Sequence, residues 1–266
     1  PFHIDLAQMT VQHRRGRQIA VFYAIERVLG VLAPVLAGFV IVAYGYKINF
    51  LLALIITAAS IIPLFFLPHF HVTYEFGFVE TFRKLFSRRF RGMALSMMAF
   101  GAENVVGLVI WPIFLFMIFK GDHFEVGAFA SVIVIVGLVF ELFIGRQSDR
   151  TSPKRLLRLG TGVYALGWIW KGIVQTVVGV FAASAFHSLG SIMLRTPMDT
   201  MMYAQAADSG HYIDEYTVLR EIALNIGRLG MLVLVFFFTQ SFSLASAFFL
   251  AALVSLGVNF LGSRRV

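Results

Sequence analysis

Long stretches of this chain carry no charge at all. Residues 48–67 and 242–261 contain no Asp, Glu, Lys or Arg, and a helix of about 20 residues is what crosses a hydrocarbon core of about 30 Å. Only 14% of the 266 residues are charged while 59% are hydrophobic. A soluble domain carries roughly 25% charged residues, so these residues cannot build a water-exposed surface around a core. High hydrophobicity excludes disorder. The absence of cysteine excludes a disulfide scaffold and thiol chemistry.

Backbone groups in lipid must be satisfied within their own segment, so apolar runs of this length read as helices. Eight are expected, over residues 19–44, 48–67, 92–119, 126–145, 156–173, 176–195, 217–238 and 242–261. The fold class is therefore an all-α membrane protein with eight transmembrane helices. The fifth and sixth are divided only by Lys171 to Thr176, the one polar interruption between them. Residues 1–18 show no basic segment followed by an apolar core and are not expected to be a signal peptide. The chain, which starts with Pro1, is expected to begin within a longer protein.

Basic residues set the expected orientation, because Lys and Arg are retained on the cytoplasmic side. Of the 22, sixteen fall before the first run, after the last, or in the connections around Arg88, Arg150 and Arg195. Only Lys47, Lys120 and Lys171 fall on the opposite side, and Arg27, Arg220 and Arg228 lie inside runs. Both ends of the segment are thus expected in the cytoplasm, with the plasma (inner) membrane as location. The formal net charge of +8 then faces anionic lipid headgroups, and no nucleic acid partner is implied. Between residues 76 and 90, Phe78, Val79, Phe82, Leu85 and Phe86 recur at helical spacing with Arg83, Lys84, Arg88 and Arg89 among them. That pattern reads as an interfacial amphipathic helix, or alternatively as the cytoplasmic extension of a transmembrane helix. The connection 196–216 is polar and mildly acidic.

A weak internal repeat is present. Ala7-Gln8 precedes Gly30 by 23 residues as Ala204-Gln205 precedes Gly227, and at that offset of 197 Ile25 meets Ile222 and Leu32 meets Leu229. Repeats related by an axis along the membrane normal are a mark of transporters built from duplicated bundles. Gly145-Arg-Gln-Ser-Asp149-Arg150-Thr-Ser-Pro-Lys154-Arg155 resembles the G-x-x-x-D-R-x-x-x-[RK]-[RK] loop of the major facilitator superfamily of secondary transporters. Gly30-Val-Leu-Ala33-Pro34-Val-Leu-Ala37-Gly38 is similar to the glycine and proline signature in the fifth helix of that family's antiporters, with Ala33 and Ala37 where the signature prefers Gly. The resemblance implies that the eight helices are helices 5 to 12 of a twelve-helix fold and that four N-terminal helices of the same chain are missing. Residues 1–67 would then be the remainder of an N-terminal bundle, 68–90 a cytoplasmic linker, and 91–266 a C-terminal six-helix bundle. It also puts every third helix outside the bundle, so the second, fifth and eighth are expected to lack buried charge.

Ionisable groups at mid-depth are functional candidates because a charge at the bilayer centre costs several kcal/mol. Glu103 and Arg228 both fall there. Asn104, Gly101, Gly107 and Trp111-Pro112 surround Glu103 in sequence, a polar and bendable stretch suited to a binding cavity. A carboxyl that alternately meets each side can take up and release a proton, so Glu103 is read as a proton-coupling group. The competing reading is a structural ion pair with Arg228. His187 would line the cavity in the family register, or else serve as a packing residue. Glu26-Arg27 and Arg220-Glu221 sit near the cytoplasmic ends of the repeat-related helices and form either a gate or local pairs. With Glu141 one turn before Gly145, the resemblance implies that Asp149 and Arg150 hold the cytoplasmic face closed; the alternative is a solvated basic loop that fixes topology. Gly30, Pro34 and Gly38 share one helix face and permit close packing.

No metal, phosphate-binding or nucleophile signature occurs, and no cofactor is expected. The chain reads as a secondary transporter of a small-molecule substrate, working by alternating access and coupled to a proton or other ion. A transport-inactive receptor, scaffold or lipid-handling enzyme on the same fold is the alternative.

Overall fold

The computed structural model describes residues 15–66, 76–148, 152–208 and 213–263, and all regular structure among them is helical. In chain order, α1 is Arg15–Ile61, followed by a 3-10 turn at Ile62–Phe66. A short α2 covers Phe78–Leu85. The third helix, α3, spans Arg91–Ile118. Then come α4 (His123–Ser148), α5 (Pro153–Ile173), α6 (Val177–Asp208) and α7 (Ile213–Ser241). The last, α8, is Ser246–Ser255 and continues as a 3-10 helix to Ser263.

Five of these are long and apolar enough to cross a membrane: Val28–Ile61 within α1, Arg91–Ile118, His123–Glu141, Val177–Met202 and Glu215–Ser241. The expected count of eight differs for physical reasons. Its first two runs are two helices that meet within α1 at a kink, Gly45, whose angles are non-helical, φ 80 and ψ 170, a region that glycine enters without a Cβ penalty; together they form the single apolar stretch Val28–Ile61. Helix α5 carries Lys154, Arg155 and Arg158 in its first turns, which lowers its apolarity. The apolar part of α8 and its continuation, Ser246–Gly262, is short.

The helices meet in pairs, and glycines decide where. Without a hydrophobic driving force between helices in lipid, close backbone approach supplies the contact. A Cβ on Gly101 of α3 would run into the Leu224 carbonyl of α7, and one on Gly227 of α7 into the Met98 carbonyl of α3. In the same way Gly160 of α5 abuts Met193 of α6, and Gly190 of α6 abuts Tyr164 of α5. Helices α1 and α4 cross where Gly127 lies against the Pro34 carbonyl and Gly38 against that of His123. At Gly30, the third residue of that predicted packing face, a Cβ would meet no atom of the described residues within 4 Å. Phe248 of α8, at 0% exposure, and Trp168 of α5, at 1%, are the largest fully buried side chains among the described residues. Ser96 ties α8's continuation to α3 by donating to the Val258 carbonyl at 2.9 Å.

Local chemistry sets the ends. Asp122 accepts from the backbone of Phe124 and Glu125 and caps α4, after a turn in which Lys120 and Gly121 both have positive φ. Thr176 accepts from Gly179 at the start of α6. Inside α3, Val106–Ile110 widens into a π-helical turn just before Pro112, whose ring cannot donate to the ladder. Helix α2 is shorter than the amphipathic stretch read from the sequence. Leu85 is buried in the main core, while Phe78 and Val79 remain about four-fifths exposed.

The glycine contacts make a direct prediction. Replacing Gly227 by Val forces α3 and α7 apart and is expected to destabilise the protein by more than about 2 kcal/mol, seen as a lower Tm of the purified protein in detergent. Gly30→Ala is expected to leave the Tm unchanged or raise it slightly, since a helical glycine is worth about 0.5–1 kcal/mol less than alanine.

Candidate functional site

Glu103 lies about 18 Å along α3 from Arg91 at about 1.5 Å per residue, near the middle of that span. Its side chain turns into the bundle and has 0% exposure. Tyr164 of α5 donates its hydroxyl to Oε2 at 2.6 Å. The other carboxyl oxygen, Oε1, is buried without a hydrogen-bond partner. One turn further along α5, the Trp168 indole lies edge-on to Tyr164 with ring centres 6.1 Å apart, and its buried Nε1 has no acceptor.

His187 of α6 closes the group. Its ring centre is 4.3 Å from Tyr164 and 4.5 Å from Trp168, and Nδ1 is buried and unpartnered. Gly167 makes this approach feasible, because a Cβ there would come within 3.0 Å of Nδ1 and 2.8 Å of the His187 Cα. The column ends at Lys171, which is only 5% exposed. Its Nζ lies 4.0 Å from the centre of the Trp111 ring and 4.7 Å from that of Trp168. Aromatic faces attract a desolvated cation by about 2 kcal/mol, and here they hold the ammonium where no carboxylate among the described residues pairs with it. Trp168 is itself backed by Phe248, stacked at 5.8 Å. Tyr164, Trp168 and Lys171 recur at i, i+4 and i+7, one face of α5.

Asn104, the next residue after Glu103, points about 100° away around the helix and belongs to a second group. Its Oδ1 accepts from Arg228 Nη2 of α7 at 3.1 Å. Arg228 Nη1 reaches Asn225 Oδ1 at 3.4 Å, and Nε is buried without an acceptor. The ion pair between Glu103 and Arg228, the competing reading, is therefore not formed: the carboxylate goes to a tyrosine on α5 and the guanidinium to an asparagine beside it on α3. The five candidate binding residues fall into these two groups, Glu103, His187 and Trp111 in the column, Asn104 and Arg228 outside it.

Two grooves lie on the α7 side of the bundle. One, of about 600 Å³, is lined by apolar and glycine residues including Met98, Gly227 and Phe260. The other, of about 410 Å³, is bordered by Phe82, Glu221 and Asn225. Neither of these two is lined by Glu103, which has 0% exposure among the described residues.

The candidate gates are placed as follows. Arg220 Nη1 pairs with Glu221 Oε1 of its sequence neighbour at 3.1 Å, with the two side chains 35% and 51% exposed, an arrangement worth about 0–1 kcal/mol. Glu26 and Arg27 are on α1, but their side chains are outside the described residues, as are Asp149 and Arg150 entirely. Glu141 is half-buried on α4, and Gly145 lies on the same helix near its end. Among the described residues no group of three His, Asp or Glu is placed to hold a metal ion.

Sequence reasoning put Lys171 in an external turn and expected no buried charge on its helix. The structure puts it in the last turn of α5, buried. The signal was the spacing with Tyr164 and Trp168, which makes Lys171 the continuation of a buried stripe. Asn225 was likewise legible, one turn before Arg228 on α7. No protein-family model matches the chain, and no curated protein does either.

The bond between Tyr164 and Glu103 has a measurable consequence. Tyr164→Phe leaves the carboxyl buried with no donor and is expected to cost about 1–3 kcal/mol. In a cycle with Glu103→Leu, which removes the acceptor, the coupling read from detergent unfolding is expected to exceed about 0.5 kcal/mol; strictly additive effects would show that the bond contributes nothing.

Proposed function

We propose that the chain forms part of a secondary transporter of the major facilitator kind, moving a small solute by alternating access with a proton as coupling ion. Eight helical segments would be helices 5 to 12 of that fold, with both ends of the segment in the cytoplasm of an inner-membrane protein. The repeat, the loop motif from Gly145 to Arg155 and the distribution of Lys and Arg support this reading. The basic helix α2 and its flanking Arg88 and Arg89 would lie against anionic lipid.

The observation that carries the proposal is Glu103, a carboxyl at mid-depth of a membrane-length helix, cut off from solvent and held by one hydroxyl. Such a group is expensive to keep in lipid without a use. In the proposed cycle, opening of the bundle wets Glu103, a proton is exchanged, and closure returns the carboxyl to Tyr164. The π-helical turn that begins three residues later gives α3 a place to bend. Lys171 and His187 stand in the same column, so the proton's arrival at Glu103 is felt by two other ionisable groups.

A transport-inactive helical protein is the second reading, and a specific observation favours it: Glu103 is fully packed and neither groove reaches it. Uptake by the full-length protein in proteoliposomes separates the two. With an imposed pH gradient, Glu103→Gln is expected to lose accumulation by about tenfold or more, a general acid–base scale of effect, while solute exchange without a gradient persists. Unaltered pH-driven accumulation would eliminate the proton role, and no uptake of any solute by the unmodified protein would favour the second reading.

A further inference from the structure

Arg228 is the middle of the span Glu215–Ser241, about 20 Å from either end at about 1.5 Å per residue. It is half-buried. No carboxylate among the described residues lies within ion-pair distance of it: Glu103 is turned to Tyr164, and Glu221, on its own helix, is paired with Arg220. Among the described residues its acceptors are two neutral carboxamide oxygens, Asn104 at 3.1 Å and Asn225 at 3.4 Å. A guanidinium has five N–H donors in a planar fork. Two are used here, and the buried Nε has no acceptor.

The neighbours add to the surplus. The Asn104 carboxamide spends its oxygen on Arg228. Asn225 donates backward to the Glu221 carbonyl, which fixes its oxygen toward Arg228. Asn225 also borders, together with Glu221, the groove of about 410 Å³ that runs toward Phe82, so one of the two carboxamides that hold the arginine meets open space of the size of a small solute. A cation at mid-depth that is compensated by dipoles alone has an unmet demand for negative charge, and a planar donor fork meets it best with a carboxylate or phosphate.

We infer that Arg228, with Asn104 and Asn225, is the binding site for the anionic group of a small carboxylate- or phosphate-bearing solute. The inference deepens the transport reading and rests on it for the route by which a solute reaches mid-depth. A lipid headgroup offers the same phosphate chemistry but sits at the membrane surface, about 15 Å from this level in a core of about 30 Å, so the free solute is the assigned source. Substrate class follows from the donor excess: uncharged solutes leave the guanidinium unmatched.

The test uses phenylglyoxal, which modifies water-accessible arginines, on the full-length protein in maltoside detergent. Modification of Arg228 is followed by mass spectrometry, with Arg220 on the same helix as internal reference. Succinate or inorganic phosphate is expected to slow modification of Arg228 about threefold or more, the protection given by ligand at about twice its Kd, with Arg220 unaffected. Succinamide and sodium chloride at equal ionic strength are expected to give none. Asn104→Asp, which supplies a carboxylate from within and changes one atom of the side chain, is expected to abolish the protection. That pattern supports the site whether or not succinate or phosphate is taken up by proteoliposomes, and uptake alone tests the transport reading. An unreactive Arg228, equal protection by succinamide, protection by added phosphatidylglycerol but by neither solute, or full protection in Asn104→Asp would each overturn it.

Discussion

A polar side chain in the middle of an apolar helix has only its own helix and the neighbouring helices to bond to. Two consecutive residues of α3 meet that constraint in opposite directions. Glu103 accepts from Tyr164 of α5, and Asn104 accepts from Arg228 of α7. Because the two side chains leave the helix about 100° apart, α3 is held on two flanks at one level of the bundle. The glycine contacts with α7, at Gly101 and Gly227, flank that level. Lipid tails are as apolar as leucine, so packing and interhelical bonds of roughly 0.6–2 kcal/mol each decide how such helices associate. Rotating α3 to improve one bond would break the other, and that fixes its orientation.

Two buried cations illustrate how differently the same constraint can be met. Lys171 is compact and enclosed, and the faces of Trp111 and Trp168 take the place of a counter-ion. That arrangement is closed, since an ammonium over two rings in a packed core has no direction left in which to recruit a ligand. Arg228 is planar and half-buried, and its carboxamide partners cover only part of the donor fork. An arginine and a lysine are not interchangeable in this respect: exchanging them would leave the lysine's single point charge short of the spread of acceptors around position 228, and the guanidinium too wide for the aromatic cage.

The apolar runs were legible because a membrane requires about twenty residues whatever the neighbours are, and each run falls on helix over most of its described length, the last only from Ser246 on. What each helix turns toward its neighbours was not. A helix that is apolar nearly all round has no stripe to read, so the sequence gives the depth of Glu103 and Arg228 but not their rotation. Matching depth suggested an ion pair; rotation denies it. In α5 the information was present in another form, since Gly160, Tyr164, Trp168 and Lys171 share a face, yet a lysine next to a helix end reads as solvent-exposed unless the aromatic residues below it are seen to continue the stripe. The break at Gly45 was visible as a polar interval, but not its size, because a single positive-φ glycine does the work of a loop.

On the proposed reading, the adjacency of Glu103 and Asn104 bears on the energetics of the whole cycle. Moving an ion through the closed state of such a bundle carries a desolvation penalty of several kcal/mol. A carboxylate or phosphate seated on Arg228 cancels the guanidinium's charge, and a proton on Glu103 cancels the carboxylate's. Both neutralisations happen on the same turn of α3, one on each flank, immediately before the widened turn at Val106–Ile110. With either ligand absent, one uncompensated charge remains at mid-depth besides the caged Lys171; with both bound, Lys171 alone is left. Closure around the doubly loaded state is then the least costly one, which makes the two flanks of a single helical turn sufficient to link the solute to the proton without any longer path through the protein.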